Sequence, residues 1–207
     1  MSVYAQHIFP RVMDWAMQRP VFQEERRLVL ARAHGEVLEL GFGTGLNLPH
    51  YPAIPQTIAR LVTVDPARIL PDRVAARIRA APFPVDIVHQ SAERLPFDAG
   101  RFDCVVSTWT LCTIPDAVAA LREVQRVLKP NGLFLFTEHG RSDDARIAAW
   151  QDRLNPLQQI VACGCNLNRR IDKLVLEAGL QLTRLDRFVL AGLPRIGGEM
   201  YRGTATP

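Results

Sequence analysis

Residues 37–45 of this chain read VLELGFGTG, and this stretch decides the fold. Its first half is a short apolar run typical of a strand, and its second half places a glycine at every other position. Glycine adopts backbone conformations that other residues avoid, so Gly41 and Gly43 permit a tight turn and a close approach of a ligand. Ligands of open α/β sheets bind at this place, beyond the carboxyl ends of the strands.

Strand-like runs alternate with helical stretches after this loop. The predicted strands are 36–40, 60–65, 85–89, 102–107 and 133–137. A helix is predicted from Pro66 to about Ala80 and another from Ala117 to Leu128, and a turn at 129–132 precedes the fifth strand. Such alternation produces parallel βαβ crossovers, with helices on both faces of a buried sheet.

Further elements precede and follow this central region. Apolar residues have helical spacing from about Val3 to Gln18, and Pro20 begins a second helix that runs to Arg32. The later predicted elements are helices at 145–154 and 170–178 and an antiparallel strand pair at 180–190 and 199–206. We therefore predict an α/β fold with a Rossmann-like, doubly wound sheet of seven strands. The sheet is mostly parallel with a C-terminal antiparallel strand, and helices precede it.

The length and composition predict one domain. With 207 residues, of which 48% are hydrophobic, the chain can bury one sizeable core. We expect a single domain over residues 1–207, with residues 1–34 as an N-terminal helical cap. No apolar run approaches the length of a membrane span. Polar residues interrupt the apolar residues of the N-terminal segment, so this segment does not match a signal peptide. Four cysteines without extracellular cues favour a reducing compartment, and the cytoplasm is the expected location.

The charge pattern does not favour a nucleic-acid partner. The net charge is +4, but the arginines are dispersed along the chain, and Arg26-Arg27 and Arg169-Arg170 are only pairs. We therefore expect a small-molecule ligand, with no nucleic acid and no integral membrane segment. The sequence leaves the oligomeric state open.

Two acidic residues define the chemistry of the glycine loop. Asp65 closes the second strand, where a carboxylate accepts hydrogen bonds from the two hydroxyls of a ribose. Glu39 lies two residues before Gly41. Beside a pyrophosphate, the Glu39 carboxylate costs Coulomb energy, whereas beside a sulfonium and an ammonium group it is favourable. This pair favours S-adenosyl-L-methionine as the ligand.

A nicotinamide-dependent oxidoreductase is an alternative with less support. The glycine spacing is Gly-x-Gly-x-Gly, which differs from the dinucleotide fingerprint, and the chain contains no Tyr-x-x-x-Lys pair. A nucleic-acid methyltransferase is weaker still, because Ser107-Thr108-Trp109-Thr110 stands where an Asn-Pro-Pro-Tyr-like segment is needed. A protein that binds the cofactor without turnover, as a sensor or scaffold, is a further alternative.

Four segments together resemble class I S-adenosylmethionine-dependent methyltransferases. Val37–Gly45 resembles the first motif of that class, and Ser91–Phe97 resembles its adenine-side motif. Phe102–Ser107 is similar to the fourth-strand motif, and Leu121–Gly132 resembles the helix and turn before strand five. Asn131 stands where the family usually has glycine, and asparagine tolerates the left-handed backbone of such a turn.

Within that class the chain resembles the quinone-biosynthesis-like branch, and most of all its small thiol-methyltransferase-like subgroup. The segments that carry this likeness are Gly43–Asn47 with Tyr51-Pro52, Thr110–Cys112, Glu138-His139 and Gly164–Leu167. The resemblance implies transfer of a methyl group to a small-molecule acceptor. The acceptor itself stays open among a thiol, an amine, a phenolic oxygen, an activated carbon and a lipid headgroup.

The resemblance also implies roles for residues around the cofactor. Those expected around its methionine portion are Glu39, Gly41, Gly43, Gly45, Asn47 and Thr108. Those expected around the ribose and adenine are Asp65, Pro66, Ala92 and Glu93.

His139 is the candidate catalytic base. It follows strand five, and an unperturbed imidazole has a pKa near neutrality, which suits proton transfer. The alternative is a histidine that only holds the wall of the pocket. Glu138 can orient or bind a substrate, but adjacent strand residues point to opposite faces, so we do not expect the two to act together.

No metal is expected from the cysteines. Cys163 and Cys165 form a Cys-x-Cys pair, which lacks the spacing of a structural zinc site, and we expect them to pack as small apolar residues. Cys104 and Cys112 are expected in the core. The N-terminal helices are expected either to act as a lid over the methyl group or to pack against the sheet.

Overall fold

A seven-stranded sheet forms the centre of the computed structural model, which describes residues 4–54 and 56–207. Its strands are β1 (Gly35–Leu40), β2 (Ile58–Val64), β3 (Val85–Val88), β4 (Phe102–Thr108), β5 (Leu128–His139), β6 (Gln181–Val189) and β7 (Glu199–Thr206). The strand order is β3-β2-β1-β4-β5-β7-β6. Neighbouring strands from β1 to β5 pair in parallel, and β7 runs antiparallel to both β5 and β6. The predicted fold class is confirmed.

Helices pack on both faces of this sheet. They are α1 (Phe9–Ala16), α2 (Pro20–Leu30), α3 (Pro71–Arg79), α4 (Ala117–Val127), α5 (Ala145–Val161), α6 (Ile171–Glu177) and α7 (Arg195–Gly198). Consecutive residues of β4 show the two faces, because Val105 packs with residues of α4 and α6 while Val106 packs with residues of α2. Since successive strand side chains point to opposite faces, the uniformly apolar β4 serves two cores.

The strand order creates a crevice at the centre of the sheet. The chain leaves β1 towards β2 and β3 on one side and then returns to β4 on the other side. The loops after β1 and β4 therefore diverge, and the space between them is the usual ligand position in open α/β sheets.

Helix α3 begins five residues later than the sequence predicts. It starts at Pro71, not at Pro66. Leu70 adopts a left-handed conformation with φ of 43°, and a residue that precedes proline is disfavoured in the right-handed helical region. Both prolines suit a helix start, but only Pro71 is followed by uninterrupted helical residues, so the prediction at Pro66 was wrong.

The predicted turn at 129–132 lies inside strand β5. Phe102 of β4 pairs with Leu128, and the next paired residue, Cys104, lies opposite Leu133. Four residues of β5 therefore bulge out opposite the single residue Asp103. Lys129 Nζ lies 2.6 Å from Asp103 Oδ1 and ties this excursion to β4.

Two predicted helices differ in extent. Helix α5 continues to Val161, past the predicted end at Leu154 and through Pro156, which lacks the N–H needed to bond back to the preceding turn. At the N-terminus, a π-helical turn at Tyr4–Ile8 precedes α1, which ends at Ala16. The predicted start at Val3 lies outside the described residues.

Asp14 attaches α1 to the rest of the fold. Its buried carboxylate accepts hydrogen bonds from Thr44 Oγ1 at 2.6 Å and Arg77 Nη1 at 2.7 Å, and it also pairs with Arg73. Burial raises the pKa of Asp14, but the bonds from Arg77 and Thr44 outweigh burial and hold it below the usual value. One ionised side chain thus joins α1, the glycine loop and α3.

Replacement of Asp14 by alanine is expected to lower the free energy of unfolding by roughly 2–4 kcal/mol, because it strands Arg77 and the Thr44 hydroxyl. The Arg73 side chain is 53% exposed, so Arg73→Ala should cost less than about 1 kcal/mol. Urea unfolding at neutral pH measures both values. Because the folded pKa of Asp14 is depressed, this contribution should be fully present above the unfolded pKa of about 4 and be lost as the pH falls through the lower folded pKa. Equal losses in the two variants would contradict this role for Asp14.

Candidate functional site

A cavity of about 1010 Å³ lies over the carboxyl ends of the central strands. Its walls come from the glycine loop, the ends of β4 and β5, α1, and the segments around α5 and α7. Most of the residues that the sequence predicts for the site line this cavity: Glu39, Gly41, Gly43, Asn47, Asp65, Pro66, Ala92, Thr108 and His139. Gly45 and Glu93 are not among the lining residues.

Glycine is required at the three loop positions for different local reasons. All have positive φ values, at 70° for Gly41, 56° for Gly43 and 79° for Gly45. A Cβ at Gly41 would come within 2.3 Å of the Thr110 side chain, and one at Gly45 would lie 3.1 Å from the Phe42 ring. A Cβ at Gly43 would meet nothing within 4 Å. Gly41 therefore permits packing, whereas Gly43 leaves open space against the cavity.

A buried carboxylate lies at the centre of the loop. Glu39, at 1% exposure, accepts hydrogen bonds from Tyr51 Oη at 2.7 Å and Asn47 Nδ2 at 3.0 Å. Asn47 Nδ2 also lies 3.0 Å from Thr108 Oγ1, so the network joins β1 to the end of β4. Burial raises the pKa of Glu39 to about 7, although the bonds from Tyr51 and Asn47 oppose the rise. The site thus holds an acid that ionises near neutral pH.

Asp65 shapes the loop from the neighbouring strand end. Its Oδ2 accepts the Gly43 N–H at 2.8 Å and its Oδ1 accepts the Ala67 N–H at 2.9 Å. Burial raises the pKa of Asp65, and the two backbone bonds oppose that rise. Each carboxylate oxygen has room for a second donor, so Asp65 can still accept ligand hydroxyl groups.

The adjacent residues Ala92 and Glu93 have different positions relative to the cavity. Ala92 is buried in the cavity wall. The Glu93 carboxylate accepts hydrogen bonds from Ser91 Oγ and from the backbone N–H of Asp116, each at 2.7 Å. Asp116 is the N-cap of α4. Glu93 therefore braces the loop that carries Ala92 against the start of α4.

Sequence reasoning missed Arg26, which it treated as part of a dispersed surface charge. Arg26 is 5% exposed and lines the cavity, and its guanidinium lies 4.6 Å from the centre of the Trp109 ring. Burial lowers its pKa to about 10, so it keeps its charge at neutral pH. Its spacing of four residues from the buried Phe22 was the available signal, because both lie on the inner face of α2.

His139 and Glu138 point to opposite sides of the sheet, as alternation requires. His139 lines the cavity at the end of β5, and its Nε2 lies 2.9 Å from Cys165 Sγ. Among the described residues its buried Nδ1 has no hydrogen-bond partner. Glu138 does not line the cavity. Its carboxylate accepts hydrogen bonds from Ser107 Oγ at 2.7 Å and from the Thr110 N–H at 3.0 Å. Glu138 thereby holds the loop after β4.

The cysteines meet in an arrangement that the sequence does not predict. Cys165 Sγ lies 3.5 Å from Cys112 Sγ, and both side chains line the cavity beside His139. Cys163 also lines the cavity but does not belong to this group. Cys112 is buried, as the sequence predicts, and it also lines the cavity. The signal for Cys112 was its place just beyond β4, at the carboxyl edge of the sheet.

The chain is similar in sequence to known methyltransferases. A family model described as a methyltransferase domain matches residues 38–136. Thiol S-methyltransferase TMT1B of Rattus norvegicus is 30% identical over 174 residues, which cover 82% of this chain and 69% of the rat protein. Ubiquinone/menaquinone biosynthesis C-methyltransferase UbiE of Shewanella frigidimarina is 31% identical over 140 residues, 66% of this chain and 56% of that protein.

The fold is also similar to solved methyltransferase structures. One is the 1,6-didemethyltoxoflavin-N1-methyltransferase of Burkholderia thailandensis with bound 1,6-didemethyltoxoflavin and S-adenosylhomocysteine. It superimposes with a TM-score of 0.67 at 17% identity, covering 96% of this chain and 83% of that one. Across residues 4–54 and 56–207, none of the helices combines the length and the apolar character that a membrane crossing requires.

Two alanine substitutions distinguish a glycine that leaves room for the ligand from a glycine that is needed for packing. Gly43→Ala adds a methyl group where the cavity is open, so we expect S-adenosylhomocysteine to bind at least tenfold more weakly while the protein loses only about 1 kcal/mol of stability from the positive φ. Gly41→Ala should destabilise the fold more, because its methyl group overlaps Thr110. Calorimetric binding and thermal unfolding measure the two effects. Unimpaired binding by a folded Gly43→Ala protein would contradict this assignment.

Proposed function

Because the chain belongs to the class I S-adenosylmethionine-dependent methyltransferases, we propose that the acceptor of its methyl group is a thiol bound at the His139 end of the cavity. The family relationship establishes a methyltransferase that uses S-adenosylmethionine and a small-molecule acceptor. The observation that carries the thiol proposal is the match, over 82% of the chain, to a thiol S-methyltransferase. The residues that line the cavity also support the thiol proposal.

The glycine-loop end of the cavity suits the cofactor. Gly43 leaves open space against the backbone. The Glu39 carboxylate is held by Asn47 and Tyr51, and the charge of Arg26 acts on it without a salt bridge among the described residues. When bound, the cofactor supplies a methyl group on a positively charged sulfur. Glu39 and Asn47 would hold its amino-acid portion with Gly41, and Thr108 would fix Asn47 from the other side.

The remaining cofactor contacts follow from the strand ends. Asp65 would accept the ribose hydroxyls, while Pro66 and Ala92 would lie against the adenine. Glu93 is proposed to act through the loop that it braces, since its carboxylate is occupied by Ser91 and Asp116. Gly45 is proposed to keep the loop compact beneath Phe42.

The opposite end of the cavity suits an apolar thiol. Its walls there include Leu154, Leu157 and Val161 of α5 together with Cys165 and His139. A free thiol has a pKa of about 8.5, and its thiolate is the nucleophile. The acceptor must therefore lose a proton, and His139 is the titratable nitrogen at this end of the cavity. We propose that His139 stabilises the thiolate form.

The N-terminal segment is proposed to close the cavity. Phe9, Met13 and Met17 are among its lining residues, so residues 1–34 would act as a cap that excludes water from the transferred methyl group. We propose that this cap and the sheet make up one domain. A cytoplasmic location remains a prediction from the cysteine content.

The affinity for S-adenosylmethionine should rise with pH. An ionised Glu39 favours the cationic ligand, and its pKa is raised to about 7 by burial. Below that value we expect the affinity to rise by up to about tenfold per pH unit, and above it to level off. Isothermal calorimetry from about pH 5.5 to about pH 8.5 measures this affinity. Glu39→Gln is the control, and its affinity should not change with pH. An equally steep profile for Glu39→Gln would contradict the assignment.

A panel of acceptors with labelled S-adenosylmethionine tests the thiol proposal. The panel contains an alkyl thiol, an aryl thiol, an amine, a phenol and a soluble quinol, each at the same concentration. We expect label in the thiols and a loss of at least tenfold in rate for His139→Asn, with cofactor affinity retained. His34→Asn is the matched control, because His34 is exposed and outside the cavity. Label in the quinol but not in the thiols would replace the proposal with C-methylation.

A further inference from the structure

Three potential metal ligands meet at the acceptor end of the cavity. The Sγ atoms of Cys112 and Cys165 and a ring nitrogen of His139 all lie within 4.8 Å of one another. Two of the separations are 2.9 Å, from His139 Nε2 to Cys165 Sγ, and 3.5 Å, between the two sulfur atoms. A tetrahedral zinc ion places such ligand atoms roughly 3.5–3.8 Å apart, given the usual bond lengths. Each of these two separations differs from that spacing by less than about 1 Å.

The backbone holds these ligands in place from three parts of the chain. Cys112 follows β4, His139 ends β5 and Cys165 follows α5. The N–H and the side-chain amide of Asn166 both donate to the carbonyl of Cys112 at 2.9 Å. Arg169 donates to the carbonyls of Leu111 and Ile114, the latter at 2.6 Å. The two cysteine-bearing loops are thus joined independently of any bond between the thiols.

His139 supplies a second, independent observation. Its side chain is about nine-tenths buried, with a relative exposure of 9%, and it is directed into the cluster through Nε2. Its other ring nitrogen has no hydrogen-bond partner within the described part of the chain. A buried imidazole whose hydrogen bonding, within the described residues, is limited to one thiol is poorly compensated, since buried polar groups are normally hydrogen-bonded. A dication with two thiolates and a neutral imidazole has no net charge, so it suits this enclosed place.

We propose that Cys112, His139 and Cys165 bind a zinc ion whose fourth coordination position faces the acceptor end of the cavity. Two cysteines and one histidine with an open position form a known type of catalytic zinc site. All three residues line the cavity, so that position is accessible from it. Cys163 lines the cavity too but is not part of the ligand group.

The open position suits the sulfur of an acceptor thiol, a part of the inference that rests on the proposed function. Soft thiolate ligands favour zinc, and coordination deprotonates a thiol at neutral pH. The acceptor sulfur would bind zinc as its proton passes to solvent. A lone pair of that sulfur then forms the bond to the methyl carbon, while the carbon–sulfonium bond breaks and leaves its electron pair on the departing sulfur. His139 would then be a zinc ligand in place of the predicted base.

Cobalt substitution of the full chain tests the metal site. The protein is reduced with a phosphine, freed of metal with a chelator and titrated with Co²⁺, and zinc is measured separately by elemental analysis. We expect one metal ion per chain and the intense visible bands of tetrahedral cobalt with thiolate ligands. Cys112→Ala and Cys165→Ala should each weaken cobalt binding at least tenfold, whereas Cys163→Ala should not. Circular dichroism and S-adenosylhomocysteine binding show that each variant is folded.

The outcomes separate the metal site from the acceptor. Absence of stoichiometric cobalt from the folded, reduced protein would overturn the site, as would an equal loss of cobalt in Cys163→Ala. A shift of the cobalt bands on addition of an alkyl thiol supports coordination of the acceptor. If the chelator-treated, metal-free protein methylates thiols at an undiminished rate, the catalytic role of zinc fails while the proposed function stands. If no thiol is methylated in either form, the proposed function fails and the cobalt spectrum still decides the metal site.

Discussion

The burial of one carboxylate, Glu39, at the end of the central strand is the constraint on which this site depends. An ionised group without water needs donors or a cation, and the protein supplies donors from Asn47 and Tyr51. Those bonds draw the segment after the glycine loop back over β1. The same loop is held from the next strand by Asp65. Loop shape and negative charge therefore come from the same side chains, which suits a cationic ligand.

The two ends of the cavity have different chemistry. The glycine-loop end presents carboxylate and amide oxygens, which are hard groups suited to hydroxyl and ammonium donors. The other end presents sulfur and imidazole within apolar walls from α5. Methyl transfer needs its two reactants aligned and shielded from water, and positioning alone accounts for several kcal/mol of a typical barrier, at most roughly 7–11. The topological crossover between β1 and β4 places both ends over one edge of the sheet.

The errors of the sequence-based predictions have local physical causes. Pro66 and Pro71 both match a helix start, and only the left-handed Leu70 between them decides in favour of the second. Turn-forming residues at 129–132 do form an excursion, but strand pairing continues on both sides of it. Propensity describes single residues, whereas the partner strand selects among the conformations that those residues allow. For Glu93, the motif is present but tertiary contacts with Ser91 and Asp116 occupy the carboxylate.

The sequence by itself determined the alternation of strands and helices, the glycine loop and the acids at the ends of β1 and β2. These features lie within short segments whose geometry follows from covalent spacing and backbone preference. Only the tertiary structure placed Arg26 in the cavity and brought Cys112 to Cys165, which lies 53 residues further along the chain. Such contacts depend on the order in which strands enter the sheet and on the packing of α5 beside it. Side chains distant in sequence are therefore matched by topology, and no local pattern records that match.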